Sequence, residues 1–393
     1  MDNDDLKFLI SKSGRELLES LSGSSEADLV RLLMKSDKEQ RRHLTAVVNL
    51  ISCRRQAVGK FSKANEMFFS LLSLEQSTGE IIADYIAQRY EPDWLVADLT
   101  CGCGGNLISL AKRCRSVIGL DIKPENIAIA ALNLNSWGLE GKASLELGDV
   151  EKGFPEADAY FVDPARDRPG KSKTRSLLNS RPGINYLLPL INSGRPMGIK
   201  ASPAIDYREL DIFSEKPEIE FISQDNSCKL AMLWFGALKK SQRRASCFYQ
   251  DYFYQLNDDD PAARNLTPRP RLFLYDPDKA FIRAKLLPQL AAAHSLDLSG
   301  GNSPFLFSDS LPSKYLPVFR IFKVLEAEKY SVSRLKEMLK RNKVKRAELI
   351  CKGVPIETDD LRRRLAIKEG GPYFVFISEF SGGQRWQILA ERA

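Results

Sequence analysis

The spacing of apolar and polar residues changes period several times along the chain, and each change marks a new element. Residues 1 to 58 carry apolar side chains at three- and four-residue intervals over Asp4 to Leu21, Glu26 to Met34 and Lys38 to Ser52, with Ser-rich breaks between them. That pattern predicts a small helical segment. A cluster of Phe61, Met67, Phe68 and Phe69 precedes a helical pattern from Gln76 to Arg89. The cluster is expected in the core, with Phe61 or Phe69 beside a ligand as the alternative.

From Leu95 the pattern alternates between strand and helix. The apolar run Leu95 to Leu99 meets the small-residue loop Thr100-Cys101-Gly102-Cys103-Gly104-Gly105-Asn106, and a helical period starts at Leu107 and runs through Ala111. A second run, Val117 to Leu120, ends in Asp121, and Pro124 opens a helix through Asn135, where the missing proline N–H costs nothing. A third strand precedes Leu-Gly-Asp149-Val150, and a fourth, Ala159 to Val162, ends in Asp163-Pro164. A helix over 184 to 192, a fifth strand Met197 to Lys200, and an antiparallel pair, Glu218 to Ser223 and Leu230 to Phe235 around Asp225-Asn226, complete the set. Such alternation predicts an α/β fold with a doubly wound, Rossmann-like sheet. At Leu256 the composition shifts to Asn-Asp-Asp-Asp-Pro and then Thr-Pro-Arg-Pro-Arg, a linker signal. Arg271 to Tyr275 as a strand and Asp278 to His294 as a helix then suggest a small ferredoxin-like α+β insert. The last 77 residues alternate strands and helices again. The expected division is therefore 1–58, 59–256, 257–315 and 316–393.

In a doubly wound sheet, ligands bind at the carboxyl ends of the strands, and the residues there narrow the choice of ligand. A dinucleotide fingerprint needs Gly-x-Gly-x-x-Gly, but Gly102 and Gly104 are followed by Leu107 at the third position, which weakens a nicotinamide reading. Asp121 stands at the tip of the second strand, where its carboxylate can accept both hydroxyls of an adenosine ribose. Asp149 stands where it can meet an adenine amino group, and Asp98 and the loop amides are left for a zwitterionic end. Three acids suit S-adenosylmethionine, which carries a sulfonium and an ammonium, better than a pyrophosphate. Asp163 and the Pro164 carbonyl can accept hydrogen bonds from an amino group and so aim its lone pair at a methyl donor, a step governed mainly by positioning.

These residues carry a resemblance. Asp98-Leu99-Thr100-Cys101-Gly102-Cys103-Gly104-Gly105-Asn106 resembles the first motif of class I S-adenosylmethionine-dependent methyltransferases. More narrowly, Lys60-Phe61, Met67-Phe68-Phe69, Leu74-Glu75-Gln76-Ser77-Thr78-Gly79-Glu80 and Val162-Asp163-Pro164-Ala165-Arg166 resemble a bacterial subgroup that ends in a THUMP-like domain, with a catalytic part similar to trimethylguanosine synthases. The resemblance covers about residues 55 to 393. It implies donor-binding roles for Asp98, Thr100, Cys101, Gly102, Gly104, Asn106, Asp121, Ile122, Asp149 and Val150, and acceptor roles for Asp163, Pro164 and Arg166. Arg166 departs from the pattern, because amino-directed enzymes commonly place an aromatic residue there to stack on the base. The implied activity is methylation of a guanine or adenine nitrogen in RNA, such as tRNA or rRNA. A metabolite or protein methyltransferase, or a silent RNA-binding protein, are the alternatives. Carbon-5 methylation of cytosine is disfavoured, since the chain has no Pro-Cys dipeptide.

The distribution of charge supports a polyanionic partner. Residues 312 to 393 carry a net +8 and the preceding 311 a net −1, so all the excess positive charge is C-terminal. Lys336, Lys340, Arg341, Lys343, Lys345 and Arg346 surround the end of one predicted helix, and Arg362, Arg363 and Arg364 follow in the next. The basic stretch Arg168, Lys171, Lys173 and Arg175, directly after the acceptor motif, is a candidate closing loop that binds phosphates, equally readable as solvated. Arg54 and Arg55 read as solvated surface. Seven scattered cysteines predict reduced thiols, and Cys101-x-Cys103 without a CxxC partner or histidine cluster predicts no metal. His43 and His294 lie far from every motif, so no imidazole base is expected. No apolar run reaches membrane-spanning length and the first residues lack a signal-peptide pattern, so a cytoplasmic location is expected.

Overall fold

The computed structural model describes residues 1–166, 176–250, 252–314 and 316–393. Arg168, Lys171, Lys173 and Arg175 of the candidate closing loop lie outside the described residues, as does the side chain of Arg166. By packing, the chain forms two units, Met1–Pro217 with Leu233–Lys239, and Glu218–Met232 with Lys240–Ala393.

The first unit begins with α1 (Asn3–Ile10), α2 (Lys12–Leu21), α3 (Glu26–Lys35) and α4 (Lys38–Ala57). The pattern that predicts one helical stretch over Asp4 to Leu21 is broken at Ser11, whose hydroxyl accepts the Gly14 N–H and caps α2. Gly14 passes so close to α1 that a Cβ there would lie 1.9 Å from the Phe8 carbonyl oxygen. Leu9, Leu18, Leu29, Val47 and Leu50 form the core of this helical layer. Of the basic pair on α4, expected as solvated surface, Arg55 is exposed and Arg54 is half-buried. Arg54 Nε donates to the Met67 carbonyl (2.9 Å) with its guanidinium over the Phe68 ring, and burial lowers its pKa to about 10. Arg55 donates to the Ser22 and Ser24 carbonyls. Of the helix expected over Gln76 to Arg89 the structure forms α6 (Glu80–Ala87), while Gln76 ends a separate preceding helix, α5 (Leu71–Gln76), and Ser77–Gly79 connect the two. Phe61 and Phe69 are buried against each other, which places the aromatic cluster in the core.

There follow β1 (Leu95–Asp98), α7 (Gly105–Arg113), β2 (Ser116–Asp121), α8 (Pro124–Ser136), β3 (Ala143–Leu147), β4 (Ala159–Val162), the short antiparallel pair β5 (Ala165–Arg166) and β6 (Ser180–Arg181), α9 (Ile184–Asn192) and β7 (Met197–Ala201). The principal strands pair in parallel in the order β3-β2-β1-β4-β7. Tyr90, Tyr160, Phe161 and Trp234 are its largest fully buried side chains. On β7 the absence of a side chain at Gly198 is required, since a Cβ would lie 2.7 Å from both Trp234 Cζ3 and Tyr90 Oη.

In the second unit β8 (Glu218–Gln224) and β9 (Ser227–Phe235) form the expected hairpin strands. Asp225 and Asn226 both have φ near +60°, the conformation of a two-residue hairpin turn. Two strands absent from the sequence reading extend that sheet: β10 (Arg243–Tyr249), parallel to β8, and β11 (Tyr252–Asn257), antiparallel to β10. Their polar residues are paired inside the sheet, so no apolar alternation announces them. Arg244 Nε donates to buried Glu218 (2.7 Å), and Ser246 Oγ donates to buried Glu220 (2.5 Å). The remainder is β12 (Phe273–Pro277), α10 (Lys279–Arg283), α11 (Leu287–Ala293), β13 (Asp297–Leu298), β14 (Leu306–Ser308), β15 (Phe319–Lys329), α12 (Val332–Arg341), β16 (Arg346–Lys352), α13 (Thr358–Leu365), β17 (Lys368–Glu379) and β18 (Arg385–Arg392). The helix expected over Asp278 to His294 is split at Lys285, which has φ +57°. β12 pairs with β15, and the seven-stranded order β13-β14-β12-β15-β18-β17-β16 joins residues of the expected 257–315 insert to the last 75 residues in one sheet. Within this unit His294 places its Nε2 against Tyr254 Oη (2.9 Å).

Gly198→Ala is expected to destabilise the chain by about 1–3 kcal/mol, because the added methyl overpacks Trp234 and Tyr90. Denaturant unfolding, with Gly141→Ala as a comparison whose added methyl meets open space at an unstrained φ, measures it.

Candidate active site

The parallel register of β1, β4 and β7 builds the site. Asp98 pairs with Phe161, and Val162 pairs with Ile199, so the next residues out, Thr100, Asp163 and Lys200, emerge side by side at the carboxyl edge. Hydrogen bonds confirm the row. The Asp163 N–H donates to Thr100 Oγ1 (2.7 Å), and Lys200 Nζ donates to Asp163 Oδ2 (2.6 Å) and to Thr78 Oγ1 (3.0 Å). Lys200 and Asp163 keep only 13% and 25% of their side-chain surface exposed, so this ion pair is far less screened than a surface one. Asp163 Oδ1 takes no hydrogen bond from any described residue, and Pro164 is buried beside it.

Thr78 connects this row to the glycine loop. Its hydroxyl oxygen also accepts from Asn106 Nδ2 (3.2 Å), and the turn carrying it lies against the start of α7, where a Cβ on Gly105 would sit 3.3 Å from the Thr78 carbonyl oxygen. The other Asn106 amide atom, Oδ1, is buried without a partner. An orphaned acceptor at the mouth of a loop is a place for a ligand donor. Gly102 and Gly104 have φ of +53° and +92°, left-handed values that glycine adopts without strain, and Gly104 starts α7. Asn133 on α8 fastens the loop by donating to the Cys103 carbonyl (2.8 Å). Cys101 and Cys103 are buried packing residues whose thiols burial pushes up.

Asp98 and Asp121 differ in their surroundings. Asp98 is 1% exposed and accepts only the Thr100 N–H (3.1 Å). Burial pushes its carboxyl up to about 8, with Asp163 and Asp121 adding to the rise and the Thr100 N–H and Lys200 opposing it. Asp121 accepts from Gly102 N (3.0 Å), Lys123 N (2.9 Å) and Asn126 Nδ2 (3.0 Å). Three of the roughly four acceptor directions of a carboxylate are then used. Among the described residues one direction is left open. Ile122, next along, is 62% exposed although apolar, a flat surface for a heterocycle. The Gly148 N–H donates to the Asp121 carbonyl (3.0 Å), which brings the β3 end alongside, while the Asp149 carboxylate caps a turn at Glu151 N (3.0 Å) and Val150 is buried. The structure therefore joins Asp98, Thr100, Asn106, Asp163, Thr78 and Lys200 through one network, and Gly102 with Asp121 through a second. Thr78 and Lys200 are the additions to the residues read from sequence.

A glycine loop, a strand-end acid and an unsatisfied buried acceptor together fit an adenosine-linked cation. An uncharacterized S-adenosylmethionine-dependent methyltransferase of Mycobacterium tuberculosis is 31% identical over 343 residues, 86% of this chain and 93% of its own length. The chain belongs to the S-adenosylmethionine-dependent methyltransferases. It is an enzyme, and S-adenosylmethionine is its methyl donor. The family model described as RNA cap guanine-N2 methyltransferase matches residues 94–186, and the model described as THUMP domain-like matches residues 319–392. A candidate methyltransferase from Porphyromonas gingivalis W83 shares the fold, with a TM-score of 0.75 at 21% identity over 100% of this chain and 99% of that one. An uncharacterized RNA methyltransferase of Parasynechococcus marenigrum is 31% identical over 93 residues, 23% of this chain and 20% of its own length. Among the described residues no helix is long and apolar enough to cross a membrane.

The position of Asp98 has a measurable consequence in the donor-free methyltransferase. Its folded pKa, about 8, lies above the ordinary aspartate value of 3.8, so between these limits the folded chain holds a proton that the unfolded chain has released. The stability contributed here is therefore lost as pH rises from about 4 to about 8. Denaturant midpoints measured across that range are expected to fall less steeply in Asp98→Asn than in the parent.

Proposed function

We propose that this methyltransferase modifies a nucleobase nitrogen, of guanine or adenine, in RNA such as tRNA or rRNA. The observation that carries the reading is Asp163. One carboxylate oxygen is held by Lys200, and the other takes no hydrogen bond from any described residue at a strand end beside the glycine loop. A free carboxylate oxygen next to a buried proline is suited to accept an N–H of an exocyclic amine, turning the nitrogen lone pair toward the loop. When bound, S-adenosylmethionine supplies an electrophilic methyl group. Asp98, Asn106 Oδ1 and the loop amides are suited to its amino-acid end, Asp121 to its ribose, and Ile122, Asp149 and Val150 to its adenine. Asp163 orients the amine and takes or passes on the proton that the nitrogen loses after transfer. Arg166 is suited to stack on the base or hold a phosphate in place of an aromatic ring.

The choice of RNA is supported by the C-terminal unit. Several of its cations are neutralised locally: Arg341 by Glu326 and Glu328, Arg363 and Arg364 by Asp360, and Arg362 by Glu369. A groove of about 580 Å³ collects others, with Lys336, Lys340, Lys345, Arg346 and Lys368 around Leu339, Val344, Leu365 and Ile367. Among the described residues the four lysines have no acidic partner, and the groove contains neither an acid nor an aromatic side chain. It is equipped to hold phosphates through charge rather than to stack bases. The names of the cap guanine-N2 family and of the Parasynechococcus relative point to the same substrate class.

Labelled methyl transfer to total RNA, DNA and protein tests the reading. Label is expected in RNA, and Asp163→Ala is expected to abolish it. Label confined to protein or metabolites would overturn the nucleobase assignment. Removing Lys340 and Lys345 together is expected to raise KM for RNA at unchanged kcat and to reduce the salt slope of binding by about 1 per lysine.

A further inference from the structure

We infer that Lys200 is the positioning residue for the acceptor amine, acting through Asp163. The inference rests on the acceptor role proposed for Asp163. β7 is apolar and buried up to Lys200, with Met197, Gly198 and Ile199 all enclosed. Its register then delivers the ammonium to the level of Asp163 on β4. A lysine taken this far out of water persists only where its charge is matched. The matching group is the Asp163 carboxylate, bound through Oδ2.

Three features make this more than a structural ion pair. Lys200 binds one specific oxygen, Oδ2, and with the Asp163 N–H anchored on Thr100 Oγ1 the carboxylate is held at both its backbone and its side chain. Among the described residues Oδ1 is left to receive an N–H, so the direction of the incoming nitrogen is set by two hydrogen bonds that the acceptor itself does not supply. Second, Asp98 and Asp121 also occupy this strand edge, and Lys200 is the cation acting on Asp98. Without it the Asp163 side chain would lose its only charged partner among the described residues and the bond that fixes its orientation. Third, the same ammonium donates to Thr78 Oγ1, which also accepts from the donor-loop Asn106. Lys200 thus references the acceptor carboxylate to the loop proposed to hold the donor, the geometry an in-line transfer needs.

The test uses the full-length protein with labelled S-adenosylmethionine and the RNA, protein and metabolite fractions of a lysate from cells lacking it. Lys200→Ala is expected to lower kcat by about 10²-fold while donor affinity, read by calorimetry, stays within about threefold. Ethylammonium added to Lys200→Ala is expected to restore at least about tenfold of the loss, whereas ethanol of the same size is not, because the ammonium re-supplies the charge-assisted bond. Lys200→Met, which keeps the length and apolar stem, covers the case in which the alanine variant unfolds, and it should show the same kcat loss without rescue. A folded Lys200→Ala or Lys200→Met with kcat within about threefold of the parent, or rescue by ethanol as well as ethylammonium, overturns the inference. If Asp163→Asn also keeps its kcat, the underlying acceptor role fails. If Asp163→Asn is inactive and the Lys200 variants are not, only Lys200 is misassigned. Label in protein or metabolites rather than RNA overturns the RNA reading and leaves the Lys200 comparison readable in that fraction. Absence of label from the parent in every fraction overturns both.

Discussion

The parallel register of three adjacent strands is the constraint on which the site depends. Ala97 lies level with Tyr160 and Tyr160 level with Met197, so the chain positions just past β1, β4 and β7 fall into one row at one edge of the sheet. A slip of one residue in any of these pairings would exchange every inward side chain for an outward one. It would also separate Thr100 from Asp163 and Asp163 from Lys200. The packing beneath fixes that register. Tyr90 and Trp234 fill the space that Gly198 leaves, and Tyr90 Oη donates to the Tyr160 carbonyl (2.9 Å). Apolar packing in the sheet thereby determines the positions of polar atoms several residues away.

Much of this could be read from the chain before any coordinates. Asp98, Gly102, Asp121 and Asp163 are conspicuous because each interrupts an apolar run at a point where a strand must end. In the last 75 residues the apolar period marks α12 and α13, each with one buried and one solvated face, while β17 and β18 are marked instead by continuous apolar runs buried on both faces. Lys200 was not legible as a site residue. A lysine closing an apolar strand reads as the place where the chain returns to water, and its burial arises from a neighbouring strand 37 residues earlier. Thr78 was hidden for a related reason, because its partners lie 28 and 122 residues away. The strands β10 and β11 escaped since their charged and polar residues are satisfied laterally by Glu218, Glu220 and Gln255, a pairing that leaves no periodic trace.

Net charge alone is a poor guide to the C-terminal unit, because much of it is cancelled where it stands. The triplet Arg362, Arg363 and Arg364 looks like the strongest anion site in the sequence, yet all three arginines face carboxylates. The lysines at the end of α12 and on the neighbouring strands remain uncompensated. Arg346 has its guanidinium donating to the Glu369 carbonyl oxygen, which fixes one wall of the groove without adding an acid to it.

Asn133 bears on how the glycine loop meets its ligand. This fully buried side chain exchanges hydrogen bonds with Phe68 in both directions, accepting from its N–H (2.7 Å) and donating to its carbonyl (3.0 Å), and also donates to Cys103 within the loop. A run of three glycines in five residues has the largest conformational entropy to lose of any stretch in the chain. Here that loss is incurred once, when the chain folds, rather than at each binding event. The loop proposed above to hold the donor is therefore ordered before anything binds, and as a donor site it would offer successive turnovers the same rigid surface.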